Sequence, residues 1–313
     1  MTAMRFSFIK CQGSGNDFPL IDARAIVLSD AQWAMAARAL ADRAGPVGGD
    51  GLLLLVPGRN GAAFGQRMLN PDGSEAETCL NGLRCVARLG FEATGLRAAT
   101  ASLPTSMAEV ALADPIAPSV VSVSTFTRAV STAIGDVGLA LPAGEIIDAI
   151  VPGLPSARRF TAVAMPNPHL VTFVDAIDEG ELVALGDWCE AAPALVPRRC
   201  NVSFVTADAR GLYVRTYERG VGLTDSCGSA MGASIHAAAL TGRIATGSHV
   251  LVRNRGGFVR GAARDGGIVI TGNATFERDA MIDVDLERGV CTGPIEQVRE
   301  RRRERDAWTI ARG

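Results

Sequence analysis

Two similar domains of mixed strands and helices are what this sequence predicts, and three observations lead there. The 313-residue chain holds two cysteine-headed segments, residues 73–95 and 220–242, each a Gly-containing turn, a Cys, a small-residue-rich helical stretch and then Thr-Gly. Their cysteines, Cys79 and Cys227, stand close to half the chain apart, as a repeated domain would place them. Around both, short apolar runs bounded by Gly and Pro read as strands.

Each element follows from its local pattern. Residues 6–10 alternate into the Gly-rich turn Gln12-Gly13-Ser14-Gly15-Asn16-Asp17-Phe18, and residues 19–21 form a short apolar strand. Residues 30–41 read as a helix with Asp30 as its N-cap. A buried strand is expected over 50–56 and another over 66–69, ending in the turn Asn70-Pro71-Asp72-Gly73-Ser74. Cys79 then opens a helix to residue 92, closed by Thr94-Gly95. Residues 98–142 alternate Ala, Ser, Thr and Val between prolines, which fits short strands. Residues 143–154 read as a short helix plus turn. Residues 159–174 carry two strands around the loop Met165-Pro166-Asn167-Pro168-His169, and 201–206 and 212–218 are further strands. Cys227 opens a second helix to residue 240. Strands at 250–253, 257–262 and 267–271 follow, and 296–305 reads as a charged, helical tail with a solvated face.

Composition bounds the function. Apolar residues make up 48% and charged residues 20%, enough for a sizeable core and against disorder. A net charge of −2 excludes a nucleic-acid binder that works by neutralising phosphates. No apolar run is long enough to span a bilayer, and residues 1–10 lack a signal-peptide core. The 7 scattered cysteines suit a reducing cytoplasm. Neither metal-ligand spacing nor a lysine in a pyridoxal-phosphate context is visible, so no metal and no cofactor is expected.

The chemistry gathers at the two cysteines. A thiol at the first turn of a helix sits where unpaired N–H groups and the helix dipole stabilise a thiolate. The same N–H groups, in Leu80-Asn81 and Gly228-Ser229, suit a carboxylate. An amino acid held between two such helix ends would have one thiol on each face of its α-carbon. Stereoinversion without a cofactor requires that arrangement, with domains closing to exclude water. Cys85 falls on a core-facing stripe, and Cys11, Cys189, Cys200 and Cys291 read as small buried hydrophobes. His236 and His249 read as structural or solvent-facing.

Several blocks resemble, in order, those of the diaminopimelate epimerase family: Gly13-Ser14-Gly15-Asn16-Asp17-Phe18, Asn70-Pro71-Asp72-Gly73-Ser74-Glu75, Cys79-Leu80-Asn81-Gly82-Leu83-Arg84-Cys85, Asn167-Pro168-His169, Asn201-Val202-Ser203-Phe204, Glu218-Arg219-Gly220 and Cys227-Gly228-Ser229. The resemblance covers most of the chain. It implies an α+β fold of two pseudo-symmetric domains, each a curved sheet wrapped around a central helix. The expected boundaries are 1–128 with 274–290 returning, 129–273, and a tail at 291–313. It implies interconversion of LL- and meso-2,6-diaminopimelate in lysine and peptidoglycan precursor biosynthesis, with no cofactor. Cys79 and Cys227 would be the acid/base pair, and Glu218 and His169 would lie near the reacting amine. Asn16, Asn70, Asn167, Asn201 and Arg219 would hold the distal end of the substrate, and the backbone of Leu80-Asn81 and Gly228-Ser229 its α-carboxylate. The expected partners are a small amino acid and, as an open alternative, a second copy of the chain.

The chain departs from the family pattern at Leu80, where Gly is usual, and at Leu223, Ser226 and Ala230. A racemase of another amino acid, such as histidine, therefore stays open. So do a redox or metal protein using Cys79 and Cys85, and an inactive binding module that keeps the fold.

Overall fold

The computed structural model describes residues 3–128, 130–165 and 167–313. Contacts divide the chain into two compact units, Met1–Thr125 with Thr271–Gly313, and Phe126–Ile270. The first begins with β1 (Ala3–Gly13), β2 (Asn16–Asp22), α1 (Asp30–Ala41), β3 (Leu52–Pro57) and β4 (Phe64–Leu69). It continues through α2 (Leu80–Thr94), β5 (Ala98–Ser102), β6 (Met107–Ala113) and β7 (Ser122–Thr127). In the second unit α3 (Ile134–Val137), β8 (Ala149–Ile150), β9 (Arg159–Met165), β10 (Asn167–Phe173) and α4 (Glu179–Glu190) come first. Then follow β11 (Asn201–Asp208), β12 (Gly211–Glu218), β13 (Gly222–Thr224), α5 (Gly228–Leu240), β14 (Val250–Arg253) and β15 (Phe258–Arg264). Strand β16 (Gly267–Asn273) returns the chain to the first unit, which β17 (Thr275–Asp285), β18 (Val290–Glu300) and α6 (Arg302–Arg312) complete.

Strand pairing reveals the repeat. In the first unit β1–β2 is antiparallel, β2–β3 parallel, β3–β4 antiparallel, β4–β5 parallel and β5–β6 antiparallel. The second unit repeats that alternation in β9–β10, β10–β11, β11–β12, β12–β14 and β14–β15. Parallel neighbours need a crossover, and each is helical: α1 and α2 in one unit, α4 and α5 in the other. The two cysteine-headed helices thus hold the same topological position.

Those helices are the cores of their units. Helix α5 buries ten of its thirteen residues and packs on β9, β10, β11, β12, β14 and β15. A helix apolar on every side must be covered all round, and its Ala and Gly residues let the strands come close. Helix α2 packs on β1, β2, β3, β4 and β6 through Leu83, Val86, Ala87 and Phe91, and ends on Gly95 in the left-handed conformation (φ 73°). The outer helices close the opposite sheet faces. Trp33 of α1 packs 6.0 Å from the Phe6 ring, and Leu182 and Leu185 of α4 join Phe160 and Phe204. Each such side chain contributes about 1.5–3 kcal/mol by leaving water.

Four expectations change. The cap of α1 is Ser29, which forms a reciprocal capping box with Gln32, and Asp30 is already helical. Residues 143–154 form no helix. Among the described residues the nearest helical turn is α3, while Ile146, Val151 and Leu154 are buried one by one in the second core and Ile146 O accepts the Ala162 N–H. Tertiary pairing overrides the local pattern there. The expected loop 165–169 is mostly strand, since Pro168 and His169 lie in β10; Pro166 is outside the described residues. Finally, the tail is neither separate nor wholly helical. Residues 296–300 belong to β18, antiparallel to β17. Helix α6 buries Trp308 completely and places Glu304 in a two-point ion pair with Arg88 of α2.

Among the described residues no helix is long and apolar enough to cross a membrane.

Candidate active site

In the first unit the site is built on the N-terminus of α2. Cys79 is the N-cap, in extended conformation, and its Sγ accepts the Gly82 N–H at 3.3 Å. The thiol therefore replaces a Ser or Asp cap, and the bond it accepts favours the thiolate. A side chain at Gly82 would press on that sulfur, because a Cβ there would lie 3.2 Å from Sγ and 2.7 Å from Leu53. Gln66 of β4 fixes the cap from behind by donating to Cys79 O at 3.2 Å. Leu80 is 5% exposed, so its extra bulk is buried.

Asn16 and Asn81 meet directly. The β1–β2 hairpin turns on Ser14 and Gly15, both with positive φ (51° and 98°), the two-residue geometry that suits strand twist. Asn16 begins the return strand. Asn81 Nδ2 donates to Asn16 Oδ1 at 2.7 Å, and Asn16 Nδ2 donates to Asp50 at 3.0 Å. Asp50 and Asp17 share Arg43, and Asp17 also pairs with buried Lys10. Burial works to raise the Asp17 carboxyl, but Arg43 and Lys10 overcome it and hold it below its ordinary value. Sequence reasoning did not single out Lys10, Arg43, Asp50 or Gln66, because their partners lie on other elements. Asn70 stays apart from this network: its side chain donates to Ser74 Oγ at 3.0 Å within its own turn.

In the second unit, register assembles the candidates. His169 of β10 is the parallel partner of Asn201 of β11. Its Nε2 lies 3.0 Å from Asn167 Oδ1, and Asn201 Nδ2 lies 3.4–3.5 Å from the ring nitrogens. Asn201 Oδ1 is already taken by the Arg219 N–H at 2.8 Å, so Nδ2 must face the ring. The consistent tautomer carries its proton on Nε2 for Asn167 and accepts at Nδ1. His169 is completely buried. Burial first, and the Arg219 charge second, push it down to about 3, so it stays neutral at ordinary pH. Neutral His169 can orient groups but cannot be a resident proton donor of the imidazolium kind.

Cys227 caps α5 as Cys79 caps α2, yet its surroundings differ. It is 6% exposed, with Sγ 3.4 Å from Ser229 Oγ. Burial and the neighbouring Glu218 carboxylate push its thiol up, against smaller opposing effects of Ser229 and of the Ala230 N–H. Cys227 is therefore held as a thiol. Glu218 ends β12, Arg219 follows it, and Arg219 Nη1 donates to Arg198 O at 3.2 Å. Among the described residues no group of three or more His, Cys, Asp or Glu side chains is placed to hold a metal ion.

The two-unit fold is shared with enzymes of the isomerase class. A hydroxyproline epimerase from Agrobacterium vitis superposes with a TM-score of 0.64 at 14% identity, covering 91% of this chain and 93% of that one. A methylitaconate-delta-isomerase gives 0.64 at 12%, covering 94% and 99%. At those identities the likeness is one of fold. Sequence goes further. Diaminopimelate epimerases from Clostridium acetobutylicum and Enterococcus faecalis are 34% and 35% identical, over 91% and 85% of this chain and 88% and 86% of theirs. The family model described as diaminopimelate epimerase matches residues 161–277. This chain belongs to the diaminopimelate epimerase family and is an isomerase.

Proposed function

We propose that the protein interconverts LL- and meso-2,6-diaminopimelate, with Cys79 and Cys227 carrying the proton. The observation behind this is the contrast between two equivalent caps. Each thiol accepts a backbone N–H of its own helix, from Gly82 at Cys79 and from Ala230 at Cys227, which favours a thiolate, but at Cys227 burial and Glu218 outweigh it and keep the thiol protonated. A free enzyme in that state has one base and one acid, as single-proton inversion needs. The thiolate of Cys79 takes the α-proton from one face, and the Cys227 thiol delivers its own proton to the other. The product leaves with the roles exchanged, so the reverse reaction starts from the opposite state. First-turn N–H groups of α2 and α5 stabilise the substrate carboxylate as negative charge develops.

Asn16, Asn70, Asn167, Asn201 and Arg219 are assigned to the distal amino-acid group, and Glu218 and His169 to the neighbourhood of the reacting amine. Asn201 is already bonded on both sides, to His169 and to the Arg219 backbone, so in this reading it holds Arg219 and His169 in place. The fork of Arg219 suits a second carboxylate. The place of this reaction is lysine and peptidoglycan precursor synthesis in the cytoplasm.

A substrate lacking the distal amino-acid group leaves polar groups of the site unpaired, at about 1–3 kcal/mol each and more for a charge. LL-diaminopimelate should therefore exceed lysine, histidine and glutamate by several orders of magnitude in kcat/KM. Leu80 in place of Gly favours the second reading, a racemase of another amino acid. Faster turnover of histidine or glutamate than of diaminopimelate would select it. A large gain on diaminopimelate in Leu80→Gly would mark divergence from that substrate.

A further inference from the structure

Arg84 lies in the second turn of α2, five residues beyond Cys79, and is completely buried. An arginine there is costly unless paired, yet no carboxylate pairs with it among the described residues. Its hydrogen bonds run instead to neutral groups: Nη2 donates to Ser14 Oγ at 2.8 Å and to Asn81 Oδ1 at 3.0 Å, and Nε to Asn273 O at 3.0 Å. Nη1 has no hydrogen-bond partner among the described residues.

The space for this guanidinium is made by glycines on two different strands. A Cβ on Gly272 of β16 would lie 2.7 Å from Arg84 Cζ. A Cβ on Gly13 of β1 would lie 3.2 Å from Nη2, besides colliding with Asn81 O at 2.4 Å. Both the charge and the room for it are thus built into the unit.

Hydrogen-bond polarity then fixes what Arg84 does to its neighbours. Arginine can only donate and a carboxylate only accepts. Along the chain from Arg84 through Asn81 and Asn16 to Asp50, each amide must therefore present oxygen toward Arg84 and nitrogen toward Asp50. No flip of either Asn satisfies both ends. Arg84 also holds Ser14, whose positive φ shapes the turn just before Asn16, while Asn273 Oδ1 takes the Ser14 N–H at 2.6 Å. One guanidinium therefore ties the start of α2 to the hairpin that carries Asn16. Despite burial, which pushes it down to about 10, Arg84 stays protonated at neutral pH; the negative forms of Cys85, its buried chain neighbour, and of Cys79, at the cap of the same helix, are the charges that favour it.

We propose that Arg84 is a positioning residue whose uncompensated buried charge is reserved for the Cys79 thiolate and whose hydrogen bonds set the orientation of Asn81 and Asn16. In the resting unit the charge lacks an acid partner because the thiolate, formed at the cap of the same helix, is its partner. This rests on the reading of Cys79 as the base.

The test is the pH dependence of iodoacetamide alkylation at Cys79, followed by mass spectrometry of its peptide, in intact wild-type protein and in Arg84→Met and Arg84→Lys. In wild type the midpoint should lie below the ~8.5 of an ordinary thiol. In Arg84→Met it should rise by about one pH unit or more, as expected on losing a neighbouring opposite charge. Arg84→Lys, which keeps the charge without the fork, should restore most of the midpoint yet raise KM for the substrate. A wild-type midpoint at or above that of an ordinary thiol overturns the proposal whether or not the variants fold. So does an unmoved midpoint in folded Arg84→Met. Because the alkylation needs no substrate, a wrong substrate assignment leaves this result intact. An unmoved midpoint in a protein that still epimerises diaminopimelate would remove Arg84 alone.

Discussion

Replacing His169 by Gln should flatten the acid side of the protein's stability profile. In the fold, burial and Arg219 hold the imidazole down to about 3, while an unfolded chain has it near 6.5. The folded value is depressed, so the unfolded state binds the extra proton between those limits. The contribution is therefore fully present above pH ~6.5 and is lost as pH falls toward 3. Between pH 7 and pH 5 the unfolded chain gains about 2 kcal/mol from protonating this one residue. Urea unfolding of wild type at the two pH values should show that loss beyond what His169→Gln shows, since Gln does not titrate. The comparison within each protein cancels the carboxylates common to both. If wild type and variant lose the same stability to within about 0.5 kcal/mol, the imidazole is not held neutral. Its assignment as an orienting group between Asn167 and Asn201 would then fail.

Other outcomes follow from the same geometry. Cys79→Ser and Cys227→Ser should each cost about 10²–10⁴-fold or more in epimerisation in both directions, the scale of a lost acid or base. Near-full activity of either, assayed in both directions, would end the two-thiol mechanism. Dialysis against a chelator and treatment with hydroxylamine should leave the activity intact, while a thiol-alkylating agent should abolish it. Loss on chelation with rescue by a metal would contradict that reading.

The two helices headed by cysteine were readable in the sequence because helix starts and stops are local signals. Cys79 and Cys227 are the caps, and Gly95 closes the first helix as expected. The internal repeat was visible only at those segments. Its full extent lies in the alternation of parallel and antiparallel pairs, which depends on strands far apart in sequence. The same is true of the His169–Asn201 register, which no spacing between residues on separate strands could announce. Arg84 was hidden for a different reason. An arginine on a helix reads as a solvated side chain, and only the absence of side chains at Gly13 and Gly272 reveals the pocket it fills. The charged segment 296–300 misled because an edge strand with a solvated face has the composition of an exposed helix. Its pairing with β17 decides the matter.

Deuterium incorporation tests the central claim most directly. With the protein in D₂O and LL-diaminopimelate as substrate, the meso product should carry deuterium at the inverted α-carbon, because the incoming proton comes from a solvent-exchanged thiol on the face opposite the one deprotonated. The incorporation should disappear in both Cys79→Ser and Cys227→Ser. Inversion with the original proton retained at that carbon in every turnover, or deuterated product formed at the wild-type rate by either serine variant, would contradict the two-thiol account.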